Sequence, residues 1–215
     1  MNMMLIEKDR QRALCSRFTE KAIAVSAVVT EIASFDDALD YCISLCDKQA
    51  ACRIGIFSGD EHPLSSTETL SNANQEKIIA APGLDPAQYA ALSDCCAVKS
   101  FTCINSGMRT HLSGVDIGFT VADIGIAETG TLIVKCPSEE LRLATMLCEY
   151  HVCLLSRSKI VSDAFAADQH LLKYMQKTPD YTAFITGASR TADIERVLAL
   201  GVHGPLELHI LLTED

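Results

Sequence analysis

The chain has 215 residues, a formal net charge of −10, 48% hydrophobic and 21% charged residues. These values are typical of one globular domain with a sizeable core. The acidic balance argues against nucleic-acid binding and against an anionic membrane surface, because both require a basic footprint. A small anionic ligand remains compatible, since a site can be locally positive inside an acidic protein.

The sequence predicts neither a targeting segment nor a membrane span. The first twelve residues mix acids with bases and lack the apolar core of a signal peptide. The most apolar early run, residues 22–29, is too short to cross a bilayer. We therefore expect a cytoplasmic protein without membrane insertion.

Ten cysteines are many for a chain of this length. A cytoplasmic location argues against a disulfide framework. No CxxC spacing occurs, so the chain carries no iron–sulfur or zinc motif, and the identity of any cofactor stays open. We expect the cysteines to pack as small buried hydrophobes.

The chain begins with an amphipathic helix predicted over residues 4–18, which we assign to an N-terminal helical extension of residues 1–20. Residues 21–215 are predicted to form a single α/β domain. Two helix starts are marked by caps: Ser34 with Asp37 resembles a capping box, and Asp85 precedes a proline at the first helical position.

Strands and helices alternate along the remainder of the chain. Further helices are predicted at residues 142–147 and 162–176. Strands are predicted at residues 22–29, 53–57, 77–81, 97–103, 121–127, 131–134, 150–155, 159–161, 181–185 and 206–212. This alternation favours a mostly parallel sheet with helices on both faces.

The stretch of residues 114–134 has three acids, no base, and β-branched or small residues almost throughout, and Glu128, Thr129 and Gly130 lie between its two predicted strands. Burying an unpartnered charge is expensive, so one interpretation places Glu128 at a strand end that faces a cleft. The alternative is a tight turn with Gly130 at positive φ and Glu128 in solvent. Both remain open from the sequence.

A second polar segment, residues 186–193, directly follows the predicted strand 181–185. Ligands of open α/β sheets bind beyond the carboxyl ends of the strands. Small residues let backbone N–H groups approach an anion, and Arg190 has the geometry to clamp a carboxylate or phosphate. The alternative is a capped loop with Arg190 paired to Asp193 or Glu195.

A third polar segment contains His203 on a constrained loop before the last predicted strand. This histidine is a candidate for proton transfer or for hydrogen bonding to an anion, and the alternative is a structural role. The other histidines show no catalytic or metal-binding spacing, so we expect surface or edge positions for them. They are His62, His111, His151, His170 and His209.

Four blocks between residues 112 and 212 resemble the LUD-domain family, also known as lactate-utilization protein C or DUF162. They read VADIGIAETGTLIV, LRLATMLCEYHV, TGASRTADIE and LGVHGPLELHILL. The residues that match the family's polar motifs are Glu128, Thr129, Gly130, Ser189, Arg190, Thr191, Asp193, His203, Gly204 and Pro205. Ala188 departs from the pattern, since a proline is usual before the Ser-Arg pair.

The resemblance implies a NagB/RpiA/CoA-transferase-like fold and a part in oxidising L-lactate to pyruvate beside two iron–sulfur subunits. Glu128 and His203 would be catalytic, and the other matched residues would bind a small anionic metabolite in a cleft at the sheet's carboxyl end. Two alternatives stay open: an enzyme of the CoA-transferase type that uses Glu128, and a non-catalytic assembly subunit for iron–sulfur partners. Oligomerisation is possible under each of these.

Overall fold

The computed structural model describes residues 2–51, 76–174, 176, 181–191, 199–200 and 204–214. These residues form five α-helices: α1 (Asn2–Ala24), α2 (Phe35–Lys48), α3 (Pro86–Val98), α4 (Glu139–Leu147) and α5 (Ala164–Tyr174). They also form twelve strands: β1 (Ala27–Ile32), β2 (Ile78–Ala80), β3 (Thr102–Ile104), β4 (Val115–Val121), β5 (Ile124–Ile126), β6 (Thr131–Cys136), β7 (Cys148–Ser156), β8 (Ile160–Val161), β9 (Tyr181–Ile185), β10 (Arg190–Thr191), β11 (Ala199–Leu200) and β12 (Glu207–Thr213). The predicted strand at residues 53–57 lies outside the described residues.

The centre of the fold is a six-stranded sheet in the order β1-β12-β7-β4-β2-β3. Every neighbouring pair in this sheet is parallel. Most of these strands are buried on both faces, which explains why their sequences are nearly continuous apolar runs. The predicted α/β fold with a mostly parallel sheet is confirmed.

A smaller sheet, in the order β8-β5-β6-β9, was not predicted. Strand β5 is parallel to β8, and β6 is antiparallel to both β5 and β9. Strands β5, β8 and β9 therefore run in one direction, and their carboxyl ends meet at one edge. The short strands β10 and β11 form a separate antiparallel pair.

The two faces of the parallel sheet are covered by different elements. On one face α2 and α3 pack against sheet side chains such as Ile117, Phe119 and Val152. On the other face α1 and the smaller sheet pack together around Phe18, Leu132 and Leu155. Helices thus lie on both faces as expected, and the N-terminal helix is part of the second layer.

Both predicted helix caps are present. The Ser34 hydroxyl accepts a hydrogen bond from the Asp37 backbone N–H at 3.2 Å, and the Asp37 carboxylate accepts from the Ser34 N–H at 2.9 Å. The Asp85 carboxylate accepts from the Ala87 and Gln88 N–H groups, both at 2.9 Å. These bonds satisfy N–H groups that a helix start otherwise leaves without partners.

Two predicted strands are partly wrong because the preceding helices are longer than expected. The alanine-rich residues 22–24 complete α1, and Ser26 at φ 66° then reverses the chain into β1. Likewise α3 continues to Val98, and Ser100 at φ 58° precedes β3. In both places a left-handed residue follows the helix, and only residues 27–29 and 102–103 of the two predicted strands are extended.

A third predicted strand, residues 121–127, is divided between the two sheets. Strand β4 ends at Val121, and β5 begins at Ile124 in the smaller sheet. The crossing is fixed by Asp123, whose carboxylate accepts a hydrogen bond from the Lys135 N–H at 2.7 Å. The Ala122 N–H donates to the Leu154 carbonyl at 2.8 Å, so the backbone stays bonded as it changes sheet.

The described cysteines pack largely as expected. Six of them are buried: Cys42, Cys46, Cys96, Cys136, Cys148 and Cys153. Burial raises the pKa of Cys46 and of Cys153 to about 12, so both thiols stay protonated at neutral pH. None of the helices in the described ranges is both long and apolar enough to cross a bilayer.

Candidate functional site

Residues 128–130 form the turn between β5 and β6. Gly130 has φ 67°, and its N–H donates to the Ile126 carbonyl at 2.9 Å. A Cβ added to Gly130 would lie 2.3 Å from the Ala22 nitrogen, so the end of α1 packs directly on this turn. The side chains of Glu128 and Thr129 are exposed. The turn therefore has the positive φ of the second interpretation, with the Glu128 carboxylate in solvent.

Three threonine hydroxyls join this turn to the end of β9. The Thr129 and Thr131 hydroxyl oxygens are 2.6 Å apart, and those of Thr131 and Thr186 are 2.8 Å apart. Thr131 is buried, whereas Thr129 and Thr186 are exposed. Thr186 begins the second predicted polar segment, whereas Thr131 was not predicted to take part. The only signal for Thr131 in the sequence is a hydroxyl at the first position of a predicted strand.

Arg190 lies where this chain of hydroxyls meets the C-terminal end of α1. Its Nη2 donates to the Val25 carbonyl, and a Cβ added to Gly187 would lie 2.9 Å from that nitrogen. A cation at a helix C-terminus interacts favourably with the helix dipole. The Val25 carbonyl occupies one of the five N–H donors of the guanidinium, and the side chain is exposed.

The third predicted segment contacts the second. The Ser189 N–H donates to the Pro205 carbonyl at 2.9 Å, and a Cβ added to Gly204 would lie 3.3 Å from the Ser189 Cβ. The Leu206 N–H donates to the Glu149 carbonyl at 2.8 Å, which ties this segment to β7. The backbone of Thr191 continues into β10, where it pairs with β11. Asp193 and His203 lie outside the described residues.

We name the group formed by residues 128–131, 186–190 and 204–205 the threonine–arginine cluster. It brings together Glu128, Thr129, Gly130, Ser189, Arg190 and Gly204 among the predicted site residues. The cluster lies at the carboxyl ends of β5, β8 and β9, but at the amino ends of β1 and β12. Residues 128–130 and 186–190 thus follow the carboxyl ends of the strands after which they were predicted, but these strands belong to the smaller sheet, and the parallel sheet has its amino ends here.

Two histidines that we expected at the surface or an edge are buried. The His151 ring is fully buried on β7, and its Nε2 lies 2.8 Å from the Thr120 hydroxyl. Burial, with a smaller effect from His209, lowers the pKa of His151 to about 4. Nearby His209 lies 2.8 Å from the Tyr41 hydroxyl and 2.9 Å from the Glu207 carboxylate, and burial lowers its pKa as well. The sequence did not reveal that these two histidines are buried, because both strands are buried on both faces and show no alternation of polar and apolar residues.

Within the described ranges, no three His, Cys, Asp or Glu side chains are placed to hold a metal ion. The described residues contribute hydroxyls, one guanidinium cation and one exposed carboxylate to the threonine–arginine cluster.

Comparison with known proteins gives relatives for about half of the chain. An uncharacterized protein of Neisseria meningitidis serogroup B is 37% identical over 108 residues, which cover 50% of this chain and 46% of that protein. Lactate utilization protein C of Shouchella clausii is 33% identical over 102 residues, covering 46% of this chain and 44% of that protein. The chain spans about half the length of these relatives.

The fold is also found in a solved structure. The crystal structure of a DUF162 family protein from Deinococcus radiodurans superposes with a TM-score of 0.57. The superposition covers 94% of this chain and 98% of that one at 14% sequence identity, so it shows a shared fold. The family model of the LUD domain matches residues 15–213, nearly the whole chain. The chain therefore belongs to the LUD domain family.

Proposed function

We propose that this protein takes part in lactate utilization and that the threonine–arginine cluster binds the carboxylate of a small hydroxy or keto acid. The relatives named lactate utilization protein C support the first part. The observation that carries the second is the convergence of three segments, distant in sequence, at the end of α1. A guanidinium and a set of hydroxyls at one point form a typical carboxylate site.

Each polar group has a role in this proposal. Arg190 offers its remaining N–H donors to the carboxylate, in the bidentate geometry that guanidinium groups favour. The hydroxyl of Thr129, held by Thr131, donates to the same group. Glu128 accepts a hydrogen bond from the hydroxyl of the bound acid. His203, which directly precedes Gly204, supplies or removes a proton.

The test is ligand-induced thermal stabilisation by L-lactate and by pyruvate. We expect both to raise the Tm of the native protein, since a ligand that binds only the folded state stabilises it. Arg190→Ala should abolish the shift, and Arg190→Lys should keep part of it because the charge remains without the bidentate fork. Each ligand-induced shift is measured against the ligand-free Tm of the same variant. This is necessary because a substitution of Arg190 also removes its hydrogen bond to the Val25 carbonyl, which can change the Tm of the ligand-free protein.

Arg109→Ala is the matched control for this test. Arg109 is exposed and its Nε lies 2.7 Å from the Glu139 carboxylate, away from the cluster. This variant should retain the native ligand-induced shift. An unchanged shift in Arg190→Ala, or an equal loss in both variants, would contradict the proposal.

A second candidate is a CoA-transferase-like reaction at Glu128, which the exposure of its carboxylate favours. The carboxylate would attack the thioester carbonyl of an acyl-CoA and release the CoA thiolate. Incubation with an acyl-CoA and hydroxylamine should then leave a mass change on the peptide that contains Glu128. The change should be missing in Glu128→Gln, and an unmodified native peptide across a panel of acyl-CoA donors would count against this reaction. Iron–sulfur partner subunits remain a prediction from the resemblance.

A further inference from the structure

A cavity of about 660 Å³ lies at the carboxyl ends of β1, β7 and β12, with α1 as its facing wall. The threonine–arginine cluster is at the amino ends of β1 and β12, so the cavity is at the opposite edge of the parallel sheet. Ligands of open α/β sheets bind outside the carboxyl ends of the strands. The volume is also within the range of about 300–1,000 Å³ that is usual for small-molecule sites.

Three charged residues at the ends of adjacent strands form the base of the cavity. The Arg157 guanidinium lies 2.7 Å from the Glu31 carboxylate and 3.5 Å from that of Glu214. The Arg157 side chain is 28% exposed, and its Nε is buried without an acceptor among the described residues. The two carboxylates are 74% and 82% exposed, so their remaining lone pairs can accept hydrogen bonds from a ligand.

The wall contributed by α1 is positively charged and polar. Lys8, Arg12, Ser16 and Thr19 line the cavity at the spacing of one helix face. Gln11 fixes this face, since its amide donates to the Arg157 carbonyl and, at 3.1 Å, to the Ile160 carbonyl. Cations on one wall thus face carboxylates at the base.

We propose that this cavity binds a polyhydroxylated carboxylate. Lys8 and Arg12 bind the anionic end of the ligand, and its hydroxyls donate hydrogen bonds to Glu31 and Glu214. An anion without hydroxyls has no donors for the remaining lone pairs of Glu31 and Glu214, and these carboxylates repel it. A neutral polyol has no anionic group for Lys8 and Arg12, and the Arg12 guanidinium then keeps only the exposed Asp9 carboxylate at 3.9 Å. The proposal goes beyond the lactate-utilization role and uses different residues.

The test is titration calorimetry with gluconate, which carries one carboxylate and several hydroxyls. Succinate serves as the anion without hydroxyls and xylitol as the polyol without charge. We expect gluconate to bind more tightly than either. Arg12→Glu should raise the Kd of gluconate by about tenfold or more, since it replaces an attractive charge with a repulsive one. Arg157 is not the residue to substitute first, because its ion pairs hold the ends of three strands together and its loss would also affect the fold.

Arg10→Glu is the matched control, with the same charge change on an exposed residue of α1 that does not line the cavity. Its Kd for gluconate should stay within about twofold of the native value, because an exposed distant charge is well screened. Undetectable gluconate binding, equal binding of succinate or xylitol, or equal effects of the two arginine variants would overturn the proposal.

Discussion

Two glycines determine how closely the end of α1 approaches the threonine–arginine cluster. Gly130 and Gly187 both have positive φ, at 67° and 71°, and both face the backbone of the last turn of α1. A Cβ at either position would lie within 2.3 Å of a backbone atom of that turn. At these two positions glycine is required by space as well as by conformation.

Gly130→Ala should lower the free energy of unfolding by about 3 kcal/mol or more, through left-handed strain plus overpacking. Gly107→Ala is the control, because Gly107 also has positive φ, at 78°, but the nearest atom to an added Cβ is the Thr110 hydroxyl at 3.9 Å. It should lose only about 1–2 kcal/mol from strain. Urea denaturation measures both values, and equal losses would show that the contact with α1 contributes nothing.

His151 should make stability depend on pH between about 4 and 6.5. Its folded-state pKa of about 4 lies below the ordinary value of 6.5, so in this window the unfolded state binds more protons. Stability is therefore full above pH 6.5, falls as the pH is lowered, and levels off below about 4. The total loss from this group is about 3 kcal/mol.

The measurement is the free energy of unfolding in urea at several pH values. His151→Gln should make the free energy of unfolding depend less on pH between about 4 and 6.5, whatever the absolute stability of the variant. Some slope should remain, because burial also lowers the pKa of His209. A curve for His151→Gln that runs parallel to the native curve would contradict the assignment.

At the scale of elements, α1 is a structural part of the fold. Phe18 and Ala22 are fully buried in the apolar cluster between the two sheets. The predicted boundary at residue 20 lies inside this continuous helix, which runs from Asn2 to Ala24. The division into residues 1–20 and 21–215 remains a prediction about how the chain folds.

Phe18→Ala should cost about 3–5 kcal/mol of the free energy of unfolding, because it leaves a large cavity in a packed core. Phe165→Ala on α5 is the control, since that side chain is 91% exposed and should change stability by less than about 0.5 kcal/mol. Thermal and urea denaturation measure the difference. A small effect of Phe18→Ala would show that α1 contributes little to the core.

Local signals in the sequence predicted the local features of the structure. The caps at Ser34 and Asp85 and the turn at Gly130 follow from contacts within a few residues. The smaller sheet was missed because only Ala122 and Asp123 separate β4 from β5, and the change of sheet depends on a hydrogen bond from the Lys135 N–H to the Asp123 carboxylate. The chain of threonine hydroxyls depends on the long-range pairing of β6 with β9. The acceptor for Arg190 is the backbone carbonyl of Val25, so no side chain in the sequence marks this contact.

At the scale of the whole molecule, the parallel sheet separates two polar regions at opposite ends of its strands. The threonine–arginine cluster contains segments from three distant parts of the chain, whereas the charged cavity contains the ends of β1, β7 and β12. The sheet interior between them is apolar, apart from Asp116, the buried histidines and a few hydroxyls. The two regions therefore lie at opposite ends of one parallel sheet.

The helix α1 borders both of these regions, with its last turn against Gly130 and Gly187 and its earlier turns over Arg157. Its 23 residues give a rod about 34 Å long. A ligand that shifts this helix at one end, and with it the residues at the other end, would change the affinity there. By thermodynamic reciprocity, the factor is the same whichever ligand binds first. A single rigid helix would then be enough to link occupancy at the two ends of the molecule.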